Sequence, residues 1–216
     1  MKKIFICLIF FLVGCNKEHN ESYLAPSRFE QLGSTTSTRT WVYLCGLTPD
    51  FIPEQMDELK TVDAIGKQLD INFLAVIPKN RCPQYNNRLC WLHDNEQEVL
   101  ETYQEITNAI HGNKIQGYIG FSNGGFFLNK LAQFIEIGKP IISIGAASSL
   151  VNKNGPNNTI YLLIGKKDEW HYEHAINFYN QSKDTPLKIN LIEYDEGHKI
   201  PITILSNLLK NLPAKI

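Results

Sequence analysis

The chain has 216 residues, of which 43% are hydrophobic, 11% aromatic and 20% charged, with a formal net charge of −1. That length carries one substantial core rather than two full domains, and the apolar fraction excludes a disordered chain. The near-neutral charge argues against nucleic acid as a partner, and 14 Gly with 10 Pro exclude collagen-like or low-complexity sequence.

The first fifteen residues read MKKIFICLIFFLVGC: Lys2 and Lys3, an unbroken apolar run over 4–13, then small Gly14 before Cys15. About ten apolar residues are too few for a helix to span a bilayer of roughly 30 Å, but the order is that of a secretory signal. Leu12-Val13-Gly14-Cys15 resembles the lipobox of bacterial lipoproteins, which implies cleavage before Cys15 and lipidation of its thiol. The expectation is a signal peptide over residues 1–14 and a protein exported and lipid-anchored to a bacterial membrane, at the periplasmic face or the cell surface. The alternatives are an ordinary signal with a chance Cys, or a buried strand. Loss of residues 1–14 removes two Lys and no acidic residue, taking the formal charge from −1 to −3. Residues 16–39 are polar, rich in Ser and Thr, and lack sustained apolar periodicity. Residues 15–39 are therefore expected to be a tether between lipid and a domain over 40–216, with room for a short structured piece near Tyr23 to Phe29 and with an extra edge strand as the alternative.

From Thr40 onward, short β-branched or aromatic runs alternate with amphipathic stretches. Strands are predicted over 41–45, 71–77, 115–120, 140–144, 159–164 and 187–194, and helices over 54–69, 95–111, 123–137, 172–182 and 202–212. Val99, Tyr103, Ile106 and Ile110 recur at helical spacing, whereas Ile160 to Ile164 is the continuous apolar run of a strand covered on both faces. Such alternation predicts an α/β fold: a three-layer, doubly wound, mostly parallel sheet of about six strands. Of the five cysteines, Cys7 leaves with the signal and Cys15 carries the lipid. In an oxidising compartment a local Cys82–Cys90 disulfide fits and leaves Cys45 free, while the other pairings stay open. No CxxC or HExxH spacing points to a metal site.

Ligands in such sheets bind at the carboxyl ends of the strands, so the residues just past each strand matter most. After the third predicted strand comes Gly120-Phe121-Ser122-Asn123-Gly124, a G-x-S-x-G between strand and helix. This is the nucleophile elbow: Gly120 and Gly124 permit the tight turn that lifts the Ser122 hydroxyl above the sheet. A serine needs a base, and the base an orienting acid. Asp168 comes after the fifth strand and His198 after the sixth, in the Ser…acid…His order of α/β-hydrolases. Gly197 is expected to let the loop turn so that the imidazole comes back over the sheet. Glu169 and Asp195 compete with Asp168 for the acid's place, and a helix cap or solvated loop is the bland reading of Asp168 itself. His93, His171 and His174 are assigned structural places.

With these residues in order, the chain resembles the α/β-hydrolase superfamily, and within it the small carboxylesterase and acyl-protein-thioesterase-like branch, over about residues 40–212. In that branch a His-Gly-Leu-Gly-like turn after the first strand supplies an oxyanion donor. Here Leu44-Cys45-Gly46-Leu47-Thr48 stands there, with Cys45 in place of His and Thr48 in place of Gly. The resemblance implies backbone donors at Leu47 and Asn123. Pro78 and Trp91 are also similar to that branch. The segment 79–94 between them, with Cys82 and Cys90, is expected either as a cross-linked flap at the rim of the site or as a stapled surface loop. The superfamily's two edge strands are expected to be missing or vestigial, leaving six strands in the order 2-1-3-4-5-6. Only the short polar stretch 146–158 lies where lids are commonly inserted, which implies a minimal fold without a lid domain. Phe121, Phe126, Phe127, Trp91 and Trp170 lie near the elbow or in loops; an acyl pocket or core packing would each account for them.

The expected activity is hydrolysis of carboxylic esters or thioesters through Ser122, Asp168 and His198, without cofactor or metal. The partners are then a small-molecule or acylated substrate and, through the N-terminal lipid, a membrane. Alternatives are a serine peptidase or acyltransferase with the same triad, or a catalytically silent binding module, since fold alone does not establish activity. The sequence carries no indication of oligomeric state.

Overall fold

Strand β2 (Thr40–Leu44) is buried along its whole length: Val42 and Leu44 turn to one face of a sheet, Trp41 and Tyr43 to the other. That two-sided burial is the signature of a central strand between helical layers. The computed structural model describes residues 28–49, 56–110 and 114–212. The remaining elements of the main sheet are β1 (Arg28–Gly33), β3 (Asn72–Ile77), β6 (Ile115–Phe121), β7 (Ile141–Ile144), β8 (Thr159–Gly165) and β9 (Lys188–Tyr194). Their order is β1-β3-β2-β6-β7-β8-β9, and every pairing is parallel except β1 with β3.

Five helices cover the sheet: α1 (Asp57–Leu69), α2 (Glu96–Ala109), α3 (Asn123–Phe134), α4 (Glu169–Ser182) and α5 (Ile202–Asn211). Val99 and Ile106 of α2, Phe127, Leu128 and Leu131 of α3 and Phe178 of α4 pack on the face bearing Val42 and Leu44. Leu59, Val62 and Ile65 of α1 and Leu205 and Leu209 of α5 cover the other. In β8, Ile160, Leu162 and Ile164 join the first cluster and Leu163 the second, which explains its unbroken apolar sequence. The layers and the order of the six predicted strands agree with expectation. Among the described residues no helix or strand intervenes between β7 and β8, so no lid rises there.

One boundary is corrected. The sequence places residues 28–39 in the tether, but Arg28–Gly33 adds a seventh strand at the sheet edge, with Phe29 opposite Val76 and Leu32 opposite Phe73. Phe29 packs against one apolar cluster and Leu32 against the other, so the strand is held from both faces. The fold therefore begins no later than Arg28. The signal-like segment 1–14 and Cys15 lie outside the described residues. Helix α4 also starts earlier than predicted, at Glu169.

The segment between β3 and α2 forms a small antiparallel ribbon, β4 (Asn80–Cys82) and β5 (Arg88–Cys90), joined by a short 3₁₀ turn at Pro83–Tyr85. Cys82 and Cys90 are bonded across it, with Cα atoms 6.0 Å apart, and Cys45 is a buried free thiol. Burial, with the Glu58 carboxylate second, pushes that thiol's pKa up, so it is an inert packing group.

Candidate active site

Ser122, Asp168, His198 and the candidate donors at Leu47 and Asn123 lie at the carboxyl ends of the parallel strands. Strand β6 runs into Ser122, whose φ of 51° is the left-handed conformation that a non-glycine residue adopts only under strain. The Ser122 N–H donates to the Ile144 carbonyl at 2.8 Å, which fastens the turn to β7. A Cβ on Gly120 would lie 2.5 Å from the Gly124 oxygen, and one on Gly124 would lie 2.3 Å from the Leu44 oxygen. Both positions are closed to any side chain, as the elbow requires.

The Ser122 hydroxyl lies 2.9 Å from His198 Nε2, and His198 Nδ1 lies 2.6 Å from Asp168 Oδ2. With Nδ1–H donating to the carboxylate, Nε2 is left to accept from the serine. Asp168 occupies the position before α4, yet its side chain makes no capping bond. Its oxygens go to imidazoles instead, which removes the bland reading of this residue. Glu169 is exposed on the helix and Asp195 pairs with Lys166 at 3.4 Å, so neither takes the acid's place.

Gly197 needs a correction. Its φ is ordinary, and an added Cβ would meet nothing nearer than the Lys167 oxygen at 4.0 Å. The close approaches fall on other glycines. A Cβ on Gly165 would lie 2.3 Å from the Glu196 oxygen, where the Asp168 and His198 loops cross. Gly145, at φ 57° just past β7, would bring a Cβ to 3.1 Å from the His198 ring. The imidazole occupies space that a side chain at Gly145 would crowd.

The turn after β2 brings Gly46 against the elbow: a Cβ there would lie 3.2 Å from Ser122 Cβ. Leu47 lines the same cleft as Ser122 and Asn123, and among the described residues no protein group accepts its N–H. The Asn123 N–H is the first of α3, an orphan by its position in the helix. Glu58 Oε1 accepts from the Gly46 N–H at 2.9 Å and from the Tyr43 hydroxyl at 2.7 Å. Burial lifts the Glu58 carboxyl to a pKa of about 7, against the lowering effect of those two bonds. Thr48, where the resembled branch has Gly, exchanges backbone bonds with Leu89 of the ribbon (2.7 and 3.3 Å).

The ribbon is therefore a rim element rather than a detached surface loop. Asn123 Oδ1 accepts from the Trp91 N–H at 2.6 Å, Trp91 Nε1 donates to the Cys45 oxygen at 2.7 Å, and Tyr85 and His93 line the cleft. Of the aromatics near the elbow, Phe127 and Trp91 are core, whereas Phe126 and Trp170 face the cleft.

The sequence assigns His93 and His171 structural places, but both stand in the site. His171 Nδ1 lies 2.7 Å from Asp168 Oδ1, and its ring stacks on His198 with centroids 4.3 Å apart. A signal for this is present in the sequence: Asp168 and His171 are three residues apart at the start of a helix, hence on one face. Asp168, His171 and His198 offer donor atoms within 4.8 Å of one another, the one group of metal-ligand type among the described residues. Here those atoms bond to each other, both Nδ1 atoms converging on the Asp168 carboxylate.

No protein-family model matches the chain, and no curated protein matches it. Solved structures do. A carboxylesterase from Mesorhizobium loti superposes with a TM-score of 0.65 at 13% identity, over 86% of this chain and 95% of its own. The Bacillus cereus carboxylesterase gives 0.58 at 12% identity, over 86% and 93%. Acyl-protein thioesterase 2 of Zea mays gives 0.55 at 14% identity, over 85% and 96%. This chain has the α/β-hydrolase fold. Within that fold, the strand ends after β6, β8 and β9 carry Ser122, Asp168 and His198.

Proposed function

We propose that the protein is a serine hydrolase acting on carboxylic esters or thioesters. The observation that carries this reading is the unbroken chain Ser122 Oγ–His198 Nε2 (2.9 Å) and His198 Nδ1–Asp168 Oδ2 (2.6 Å), standing on a strained elbow. His198 Nε2 takes the hydroxyl proton as Ser122 Oγ bonds to the carbonyl carbon, and Asp168 holds the imidazolium that results. The negative charge moves to the carbonyl oxygen, where the Leu47 and Asn123 N–H groups donate to it. Donors of that kind are worth about 3–4 kcal/mol each in kcat. Collapse breaks the bond to the alcohol or thiol, which leaves with the proton from His198. Water, deprotonated by the same base, then releases the acid from the acyl-enzyme. That solved carboxylesterases and an acyl-protein thioesterase share the fold supports the choice of bond.

The test is labelling with a fluorophosphonate, wild type beside Ser122→Ala. Labelling and short-ester hydrolysis by the wild type alone are expected; a wild type that neither labels nor hydrolyses ends this reading. The lipobox-like sequence extends the proposal to a lipid anchor at Cys15. Cys15→Ser should then move the protein out of the membrane fraction, and unchanged partitioning removes the anchor.

A further inference from the structure

Beside Ser122 lies a cleft of about 230 Å³ whose walls are rings. Tyr85 comes from the ribbon turn, His93 from the loop after β5, Phe126 from α3, and Trp170 and His171 from the first turn of α4. The Phe126 centroid stands 5.8 Å from His93, 5.9 Å from His171 and 6.3 Å from Trp170, and the His93 ring lies within 16° of parallel to it. Four separate elements of the chain thus deliver aromatic groups to one place. Phe126 also packs on the core, but core packing does not account for Trp170 and Tyr85. Trp170 is 58% exposed and Tyr85 37%, among the few large apolar side chains that the described residues leave in water.

The walls carry no formal charge. Among the described residues no Lys, Arg, Asp or Glu lines the cleft, and burial holds both imidazoles below the usual histidine range. His93 Nε2 is engaged with the Asn123 amide at 3.2 Å and His171 Nδ1 with Asp168, so neither of these nitrogens is free to receive an ionic group. Size sets a second limit. A dry apolar cavity of about 150 Å³ accepts benzene. The cleft here has room for one ring and a short link. Rings favour rings, in offset or edge-on contact at centroid distances of about 4.5–7 Å.

Resting on the hydrolase reading, we propose that this cleft binds an uncharged aromatic group joined through a short link to the scissile ester, which makes the preferred substrates aryl-bearing esters rather than long-chain acyl esters. Ser122 and Leu47 border the same cleft, so a ring seated there leaves the ester carbonyl between nucleophile and oxyanion donor.

Two pairs of esters test it with the full chain: methyl 3-phenylpropanoate against methyl hexanoate, and benzyl acetate against hexyl acetate. Saturated carbons separate ring from carbonyl in each, so intrinsic reactivities are matched. The expected result is a kcat/KM at least about tenfold higher for the aryl member of one pair. Trp170→Leu and Phe126→Leu should each erode that preference by raising KM for the aryl ester more than for the alkyl ester. If Phe126→Leu does not fold, Trp170→Leu, at an exposed position, still decides. Fluorophosphonate labelling with equal or better turnover of the alkyl esters in both pairs overturns the aromatic cleft and leaves the hydrolase standing. An aryl preference that both variants leave intact overturns the assignment to these rings. Absence of labelling and of all ester turnover removes both readings together.

Discussion

Asp168 divides its carboxylate between two imidazoles: Oδ2 takes the His198 Nδ1–H at 2.6 Å and Oδ1 takes the His171 Nδ1–H at 2.7 Å. The second bond fixes the plane of the carboxylate and so aims the first. A hydrogen bond to a charged group is worth about 1.5–3 kcal/mol. His171→Phe keeps the ring and loses the bond, and kcat should fall by about tenfold or more. Steady-state kinetics on a short alkyl ester measure this; an unchanged kcat would show that Asp168 is held well enough without His171.

Gly145 gives a steric prediction. Ala there would take a left-handed φ of 57° and press on the His198 ring. Strain of that kind costs about 1–3 kcal/mol. Gly145→Ala should lower Tm modestly and depress kcat more strongly than stability. A variant with full activity would mean that the imidazole has room to yield.

Glu58 sets a pH dependence of stability. Its carboxyl titrates at about 7 in the fold against an ordinary value of 4.5. Between those values the native state holds a proton that the unfolded chain has lost, so stability is greatest below about 4.5 and declines as pH rises through 7. The whole effect is up to about 3 kcal/mol. Urea midpoints at pH 5 and pH 8 measure it, and Glu58→Gln should flatten the difference. A variant with the wild-type slope would assign the dependence to other groups.

The Cys82–Cys90 bond closes a ribbon that reaches the site through Thr48–Leu89 and Tyr85. Cys82→Ser with Cys90→Ser should cost about 2–3 kcal/mol in stability for so short a loop. It should also raise KM, because the rim of the cleft loosens. Denaturation and ester kinetics on the same preparation separate the two effects. A KM equal to the wild type's would detach the ribbon from substrate binding.

The parts legible in the sequence are those where one local pattern dictates the outcome. Ile160 to Ile164 admits few positions other than a buried strand, and Gly120 to Gly124 few conformations other than a tight turn. Strand β1 is obscure for a physical reason. Phe29 and Leu32 are its two packed apolar residues, an odd number apart and therefore on opposite faces, so no alternation marks it. His171 escapes notice because its partner is a carboxylate that already has another role. Gly197 stands out over Gly145 because adjacency along the chain is visible in a sequence and adjacency across a sheet is not.

Strand β1 runs against its neighbours, so its first residue, Arg28, lies opposite Ile77, the last residue of β3. The chain thus enters the domain from the end of the sheet where Ser122 stands, on the same pole as the cleft. An anchor ahead of Arg28, as proposed at Cys15, would therefore join the domain on the cleft's side of the sheet rather than behind it.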